Sequence, residues 1–168
     1  MADVSTTVVS QIAAPRKPFY AWLVPGVFYD QLETVLRDAA FLPGVRNTTN
    51  TTGPWDRPGS TRIVHLTDGT TVRETVTSAT APDYFAYRLT EFSSPMIRGL
   101  VKEARGQWWF TDNGTGLQAK WTYTAESKNF FGGLLLLPVI KILWNRYMKA
   151  AMKVTKERAE AEVAGASR

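Results

Sequence analysis

The hydrophobic pattern of this chain changes its period once, at Gly132-Gly133, and this change limits the folds open to the chain. Before it, short segments alternate apolar and polar residues, as half-buried strands do. After it, apolar residues recur at helical spacing and lysines fall between them. The apolar set is Ile140, Leu143, Trp144, Tyr147, Ala151 and Val154. The sequence therefore predicts a long C-terminal helix, which should begin between Leu134 and Leu137 because proline is tolerated only near a helix start.

Turn signals divide the earlier part of the chain into antiparallel strands. Asp68-Gly69 and Asn113-Gly114 mark two of the turns, since Gly and Asn supply the positive φ that tight turns need. The predicted strands are 4–12, 60–67, 70–78, 83–91, 103–112 and 117–126, with a further short edge strand within 46–59. Two short helices are predicted after the first strand, Phe19 to Leu23 and Phe28 to Ala40, with a break at Pro25-Gly26.

Together these elements predict an α+β fold in which a curved antiparallel sheet of six to seven strands wraps around one long C-terminal helix. A length of 168 residues fits one domain with a sizeable core. We therefore expect residues 1–168 to form a single domain, with the last few residues disordered. With 12% aromatic residues and six tryptophans, the interior should be an aromatic-lined pocket or a core filled by the rings.

This order of elements resembles the helix-grip (SRPBCC) superfamily, which includes START-like lipid carriers, the birch pollen allergen group and the polyketide cyclase/dehydrase family. The resemblance covers nearly the whole chain. It rests on Val8 to Pro15 leading into a helix, on Gly59 to Gly69 followed by Glu74, and on the strands that carry Tyr87, Trp108 and Trp121. It implies the fold, an internal cavity for a hydrophobic molecule such as a lipid, isoprenoid or aromatic polyketide, and, for part of the superfamily, cyclase or dehydratase chemistry.

Strand alternation predicts which side chains face the helix and line the pocket. A three-residue loop at Thr67 to Gly69 puts Arg62 opposite Glu74, whereas a two-residue loop would put Ile63 there. Continuing the alternation brings Gly106 and Ala119 to the inner face among large rings. The predicted ligand-binding residues are Arg62, Val64, Val72, Glu74, Phe85, Tyr87, Trp108, Phe110, Trp121, Tyr123, Leu143, Trp144 and Tyr147.

Arg62 and Glu74 are the main polar groups of the predicted pocket, and two interpretations stay open. They form a cross-strand ion pair that fixes the register, or they orient the polar head of a ligand. A buried unpaired charge is costly, so each must meet the other or a ligand. If the protein is a cyclase or dehydratase, Glu74, Arg62 and Tyr123 are the candidate acid/base residues. Because no motif matches a known cyclase site, a non-catalytic binding protein is preferred.

Composition excludes several kinds of site. The chain has no cysteine and one histidine, so thiolate and His-rich metal centres are excluded, and we expect neither a metal nor a cofactor. Nucleic-acid binding is not expected, since no basic strand face carries interleaved exposed aromatics. His65 should be an ordinary surface residue. Trp109 also faces outward, which predicts a covering loop or a homodimer contact. No secretory signal is visible, so the cytoplasm is the expected location.

The segment Phe130 to Ile140 predicts either the buried start of a helix or a peripheral membrane contact. It is too short and too closely followed by Lys141 to span a bilayer. An apolar patch beside basic residues can dock on anionic lipid. The basic face of the following helix consists of Lys141, Arg146, Lys149, Lys153, Lys156 and Arg158. The alternative is that this face is solvated and contacts no membrane.

Overall fold

The computed structural model describes residues 2–166, in which seven strands form one antiparallel sheet. The strands are β1 (Asp3–Ile12), β2 (Val45–Thr49), β3 (Thr61–Leu66), β4 (Thr71–Thr80), β5 (Tyr84–Thr90), β6 (Val101–Asp112) and β7 (Leu117–Ser127). Their order across the sheet is β1-β7-β6-β5-β4-β3-β2. The meander from β2 to β7 thus ends beside β1, and the predicted edge strand is β2. The expected disorder of the last few residues falls partly on 167–168, outside the described residues.

Six helices and two π-helical turns complete the fold of residues 2–166. The helices are α1 (Arg16–Trp22), α2 (Phe28–Asp30), α3 (Leu32–Val35), α4 (Pro95–Leu100), α5 (Phe130–Pro138) and α6 (Asn145–Ala166), and the π-helical turns are Leu23–Val27 and Val139–Trp144. The helix α6 runs along β1 and contacts α1 and α3. A curved sheet around one long C-terminal helix, with short helices after β1, confirms the predicted α+β helix-grip fold. No helix within 2–166 is long and apolar enough to cross a membrane.

The predicted helix limits after β1 were partly wrong. The break expected at Pro25-Gly26 is a π-helical turn that joins α1 to α2, and a π turn accommodates a proline without ending the helical path. The predicted second helix is divided into α2 and α3, and α3 ends at Val35 rather than Ala40. Ala40 and Phe41 both have positive φ, 52° and 66°, in a tight turn closed by Ala39 and Leu42. These values are incompatible with a right-handed helix.

The C-terminal helical region begins earlier than predicted. It starts at Phe130 because the side chain of Asn129 caps it, with Oδ1 accepting a hydrogen bond of 2.8 Å from Gly132 N. Pro138 therefore lies inside the helical region. Proline cannot donate the backbone hydrogen bond of an α-helix, and the chain continues past it as a π-helical turn.

The hairpin between β3 and β4 has the predicted three-residue loop. Gly69 has φ of +87°, and Leu66 N donates to Thr70 O at 2.8 Å. Val64 therefore lies opposite Val72, and Arg62 opposite Glu74. The alternative pairing of Glu74 with Ile63 is excluded.

The two residues predicted on the outer face have local partners. His65 Nε2 lies 2.8 Å from the hydroxyl of Thr49 on the neighbouring strand. The ring of Trp109 is half-buried against Tyr84, with centroids 5.5 Å apart, and Lys120 Nζ lies 5.2 Å from its centre. Neighbouring strands, rather than a loop, thus cover Trp109.

Candidate functional site

A cavity of about 410 Å³ lies between the inner face of the sheet and the helical elements, a size typical of small-molecule sites. The exposed residues of its lining, which mark the mouth, come from the α3–β2 loop, the β3–β4 hairpin and α4. Eleven of the predicted residues line it: Arg62, Val64, Val72, Glu74, Phe85, Tyr87, Trp108, Trp121, Tyr123, Trp144 and Tyr147. The tertiary structure therefore brings most of the predicted set together around one space.

Phe110 and Leu143 were wrongly placed in the cavity wall. Phe110 is buried, but its ring packs against Phe19 and Tyr20, with centroids 5.6 and 5.7 Å away, so α1 fills the space on this side. Leu143 lies in the π-helical turn, which changes the helical phase. As a result Val139, Ile140 and Trp144 line the cavity, while Leu143 does not.

Stacked aromatic rings form two flat walls of the cavity. Trp108 and Trp121, opposite each other on β6 and β7, stack with centroids 4.8 Å apart and planes 12° apart. Trp144 and Tyr147 stack at 4.7 Å and 19° in the C-terminal helical region. Tyr123 joins the walls, with its ring 4.6 Å from that of Trp144. Such interlocked rings are rigid and present extended apolar faces to a ligand.

Gly106 allows the ring of Tyr87 to lie close to the sheet. The two residues are opposite each other on β6 and β5. A Cβ atom on Gly106 would lie 2.0 Å from Cζ of Tyr87, too close for the ring to keep its position. In that position the Tyr87 hydroxyl accepts a hydrogen bond of 3.2 Å from Trp121 Nε1. The glycine thus keeps the tyrosine ring out of the space that the cavity occupies.

Arg62 and Glu74 form a buried ion pair in the cavity wall. Arg62 Nε donates to Glu74 Oε2 at 2.8 Å, and both side chains are almost completely buried. Arg62 Nη1 donates to the carbonyl oxygens of Phe28 and Tyr29, and the guanidinium carbon lies 3.7 Å from the centre of the Trp55 ring. The ion-pair interpretation of the sequence is therefore confirmed.

The same side chains leave hydrogen-bonding groups unused. Within residues 2–166, Arg62 Nη2 and Trp144 Nε1 are buried and have no hydrogen-bond partner. Glu74 Oε1 and the hydroxyls of Tyr123 and Tyr147 likewise make no hydrogen bond to the described part of the chain. Buried donors without partners are uncommon in folded proteins and need an explanation. A ligand with oxygen acceptors would satisfy them.

Burial keeps the tyrosine hydroxyls of the cavity protonated. Burial raises the pKa of Tyr87, with the nearby Glu74 carboxylate acting in the same direction. Burial also raises the pKa of Tyr123, helped by Tyr147, and that of Tyr147 itself, helped by Asp38. These hydroxyls are therefore hydrogen-bond donors rather than bases at neutral pH.

The mouth of the cavity contains residues that sequence reasoning did not assign to the site. Phe41 and Leu42 come from the α3–β2 loop, and Met96 and Ile97 come from α4. Both pairs are apolar residues beside a proline (Pro43 or Pro95) in segments that connect predicted strands or helices. Apolar residues in such exposed connections could have indicated the cavity mouth. Among the described residues, no group of three or more His, Asp and Glu side chains could hold a metal ion.

Comparison with known proteins gives one family and many similar folds. Residues 28–160 match the family described as "Polyketide cyclase / dehydrase and lipid transport". No curated protein matches the chain. Norcoclaurine synthase from Thalictrum flavum, solved with dopamine and hydroxybenzaldehyde, is 11% identical at a TM-score of 0.73, over 96% of this chain and 88% of the synthase.

Two further structures have the same fold. Ara h 8.0201 is 12% identical at a TM-score of 0.66, over 96% of this chain and 100% of that chain. BexL, a di-domain ARO/CYC from the BE-7585A biosynthetic pathway, is 18% identical at a TM-score of 0.64, over 95% of this chain and 51% of BexL. At these identities the similarity establishes the fold.

Proposed function

Because this chain belongs to the polyketide cyclase / dehydrase and lipid transport family, we propose that it binds one hydrophobic small molecule in its internal cavity. One observation carries the proposal: an apolar, aromatic-walled cavity of about 410 Å³ is lined by buried donors that have no partner in residues 2–166. Specific small-molecule sites combine these two properties, an apolar wall and a few placed polar groups.

The geometry describes the class of ligand. The stacked pairs Trp108–Trp121 and Trp144–Tyr147 favour an apolar body with a flat or extended shape. The unused donors favour oxygen acceptors on the ligand, such as a carbonyl or hydroxyl. Lipids, isoprenoids and aromatic polyketides all meet this description. Because Arg62 is already paired with Glu74, the proposed ligand is neutral overall rather than strongly anionic.

The proposal is tested by filling the cavity with a larger side chain. Ala125 is a buried wall residue on β7, and Thr122 lies on the outer face of the same strand. We expect Ala125→Phe to weaken binding of an uncharged hydrophobic dye such as Nile red by at least about tenfold, while Thr122→Phe binds as the wild type does. Native mass spectrometry of the wild type should also detect a retained apolar molecule. Equal dye binding by all three proteins, with no retained molecule, would contradict the proposal.

A second candidate function is cyclase or dehydratase chemistry on the bound molecule. It is supported by the clustering of Arg62, Glu74 and three protonated tyrosine hydroxyls around one cavity, and by the family description. In this case Tyr123 would donate a proton and the Glu74 carboxylate would accept one. Ligand recovered from Glu74→Gln should then be converted on incubation with the wild type and left unchanged by the variant. Recovery of the same molecule from both proteins, unchanged by the wild type, favours binding alone.

Several sequence predictions belong with this proposal. We propose that residues 1–168 act as one module and that the predicted membrane contact at Phe130 to Ile140 supplies a route for hydrophobic ligands. The cytoplasmic location and the homodimer contact stay predictions of the sequence.

A further inference from the structure

Exposed apolar side chains lie at the mouth of the cavity and on the adjoining helix α5. Phe41 in the α3–β2 loop is 100% exposed, and Met96 on α4 is 69% exposed. Both line the cavity mouth. The outer face of α5 adds five more exposed residues: Phe130, Phe131, Leu134, Leu135 and Leu137. We call these seven side chains the mouth surface.

The elements of the mouth surface are physically connected. Lys128 N donates to Leu100 O at 2.9 Å, which joins the segment before α5 to the end of α4. Gly132 lies so close that an added Cβ would be 3.3 Å from the same carbonyl oxygen. Leu135 is four residues before Val139, which lines the cavity, so the exposed stripe of α5 continues into the cavity wall.

The outer face of α5 is unusual for a helix in contact with water. The helix consists of Phe130–Pro138 and contains no polar side chain, although one side of it is buried and the other is exposed. A surface helix normally presents polar residues to the solvent. Phe41 is also held outward by a turn with positive φ at two successive non-glycine residues. Contiguous exposed apolar surface of this kind indicates an interaction site.

The charges beside the mouth surface indicate its partner. Arg98, Lys128 and Lys141 are exposed, and none forms an ion pair within the described part of the chain. The segments 92–102 and 127–156 contain no Asp or Glu. Lys102 is neutralised by Glu126 from β7, at 2.9 Å. Two carboxylates lie near the other side of the mouth. Asp68 on the β3–β4 hairpin accepts hydrogen bonds from Thr70, and Asp38 in the α3–β2 loop accepts them from Gly44 N and the Thr67 hydroxyl.

We propose that the mouth surface docks on an anionic lipid bilayer, with the cavity opening toward the membrane. The apolar side chains would enter the interface while Arg98, Lys128 and Lys141 meet acidic headgroups. A second copy of the chain fits less well, because it would bring the same unpaired cations together. Delivery of a ligand from the bilayer rests on the proposed function, whereas docking itself requires only the mouth surface.

The contact differs from the basic helix face considered from the sequence. On that face Lys156 donates to Gln11 O, and Arg158 is bound to Glu162 and to the hydroxyl of Thr34. These two cations are held by the protein. Lys141 belongs to both the basic helix face and the docking surface, whereas Arg98 and Lys128 lie outside that face.

The test is flotation of the full-length protein with vesicles of phosphatidylcholine alone or mixed with phosphatidylglycerol. The wild type should float with the anionic vesicles at low salt, dissociate as salt is raised and ignore the neutral vesicles. Phe131→Ser/Leu135→Ser and Arg98→Glu/Lys128→Glu should each weaken binding by at least about tenfold. No pocket ligand is added, so the outcome is independent of ligand binding in the cavity.

Matched controls alter the same residue types elsewhere. Val9 is an apolar residue of β1 that is 50% exposed, and Lys17 is an exposed cation of α1. Val9→Ser and Lys17→Glu should bind as the wild type does, and circular dichroism checks that all variants are folded. The proposal is overturned if anionic vesicles are ignored at low salt, if the controls lose as much as the mouth variants, or if light scattering shows that the mouth variants abolish a dimer instead.

Discussion

At the residue scale, the guanidinium of Arg62 has a different partner on each side. Nε donates to Glu74, Nη1 donates to two carbonyl oxygens of α2, and the Trp55 ring lies 3.7 Å from the guanidinium carbon. Nη2 alone has no partner among residues 2–166. Arg62 therefore has three structural contacts and one unpaired donor, so the ion pair is compatible with the proposed role of Arg62 in orienting a ligand.

A double-mutant cycle separates the structural role. Arg62→Met should cost about 3–5 kcal/mol of unfolding free energy, because it leaves the Glu74 carboxylate buried without its cation. Arg62→Met/Glu74→Leu should lose less than Arg62→Met, since the unpaired charge is then gone. Chemical denaturation measures all the proteins of the cycle. If the losses simply add, Glu74 is not the group that Arg62 stabilises.

At the element scale, the cavity depends on how β5, β6 and β7 pack their inner faces. Large rings occupy neighbouring positions on these strands, and they fit because Gly106 and Ala119 alternate with them. The ring of Tyr87 crosses over Gly106 and reaches Trp121 on β7. The absence of a side chain at Gly106 thus allows one tyrosine to connect β5, β6 and β7.

Replacing that glycine should disturb both the packing and the cavity. Gly106→Ala places Cβ 2.0 Å from Cζ of Tyr87, so the ring must move toward the cavity and lose its bond to Trp121. We expect a loss of about 1–3 kcal/mol in thermal or chemical unfolding and weaker dye binding. Gly99 on α4 is the control, because nothing lies within 4 Å of its added Cβ. Equal stability of the two alanine variants would show that the Tyr87 ring is mobile.

At the scale of the whole molecule, folding collects tyrosines from β5, β7 and α6 around one apolar space. Burial raises the pKa of Tyr87, Tyr123 and Tyr147 above the ordinary tyrosine value of 10.0. Ionisation would place negative charges in the cavity, so the folded state binds these protons more tightly than the unfolded chain does. The contribution to stability is complete below the ordinary pKa and is lost as the pH rises above it.

Alkaline unfolding should therefore report on the cavity. The free energy of unfolding should fall above about pH 10, and the phenolate absorbance of these three residues should appear together with unfolding. In Tyr123→Phe the decline with pH should be less steep, since one proton no longer titrates. At neutral pH this variant should remain folded, because the Tyr123 hydroxyl has no protein partner within the described residues. A phenolate signal before unfolding that is absent from Tyr123→Phe would mean that water reaches the Tyr123 hydroxyl in the folded state.

The sequence by itself determined the elements and the inner face of the sheet. Strand alternation, the turn at Asp68-Gly69 and the change of period at Gly132-Gly133 are local signals, and local geometry follows from them. For this reason the wall formed by Tyr87, Trp108 and Trp121 was predictable. The register of Arg62 with Glu74 depended on the length of the loop at Asp68-Gly69, and the structure decided it. The hydrophobic pattern did not predict the helix limits near Pro25 and Pro138. A π-helical turn accommodates the proline at each position, and such a turn has no periodic signal of its own.

Only the tertiary structure decided where the interior is filled and where it stays open. Phe110 and Trp108 both point to the inner face of the sheet from β6. Phe110 packs against Phe19 and Tyr20, whereas Trp108 lines the cavity. The mouth surface likewise comes from segments far apart in sequence that meet through α4 and α5. Packing between elements that are distant in sequence determines both the open part of the interior and the mouth surface. No local pattern of residues records that packing.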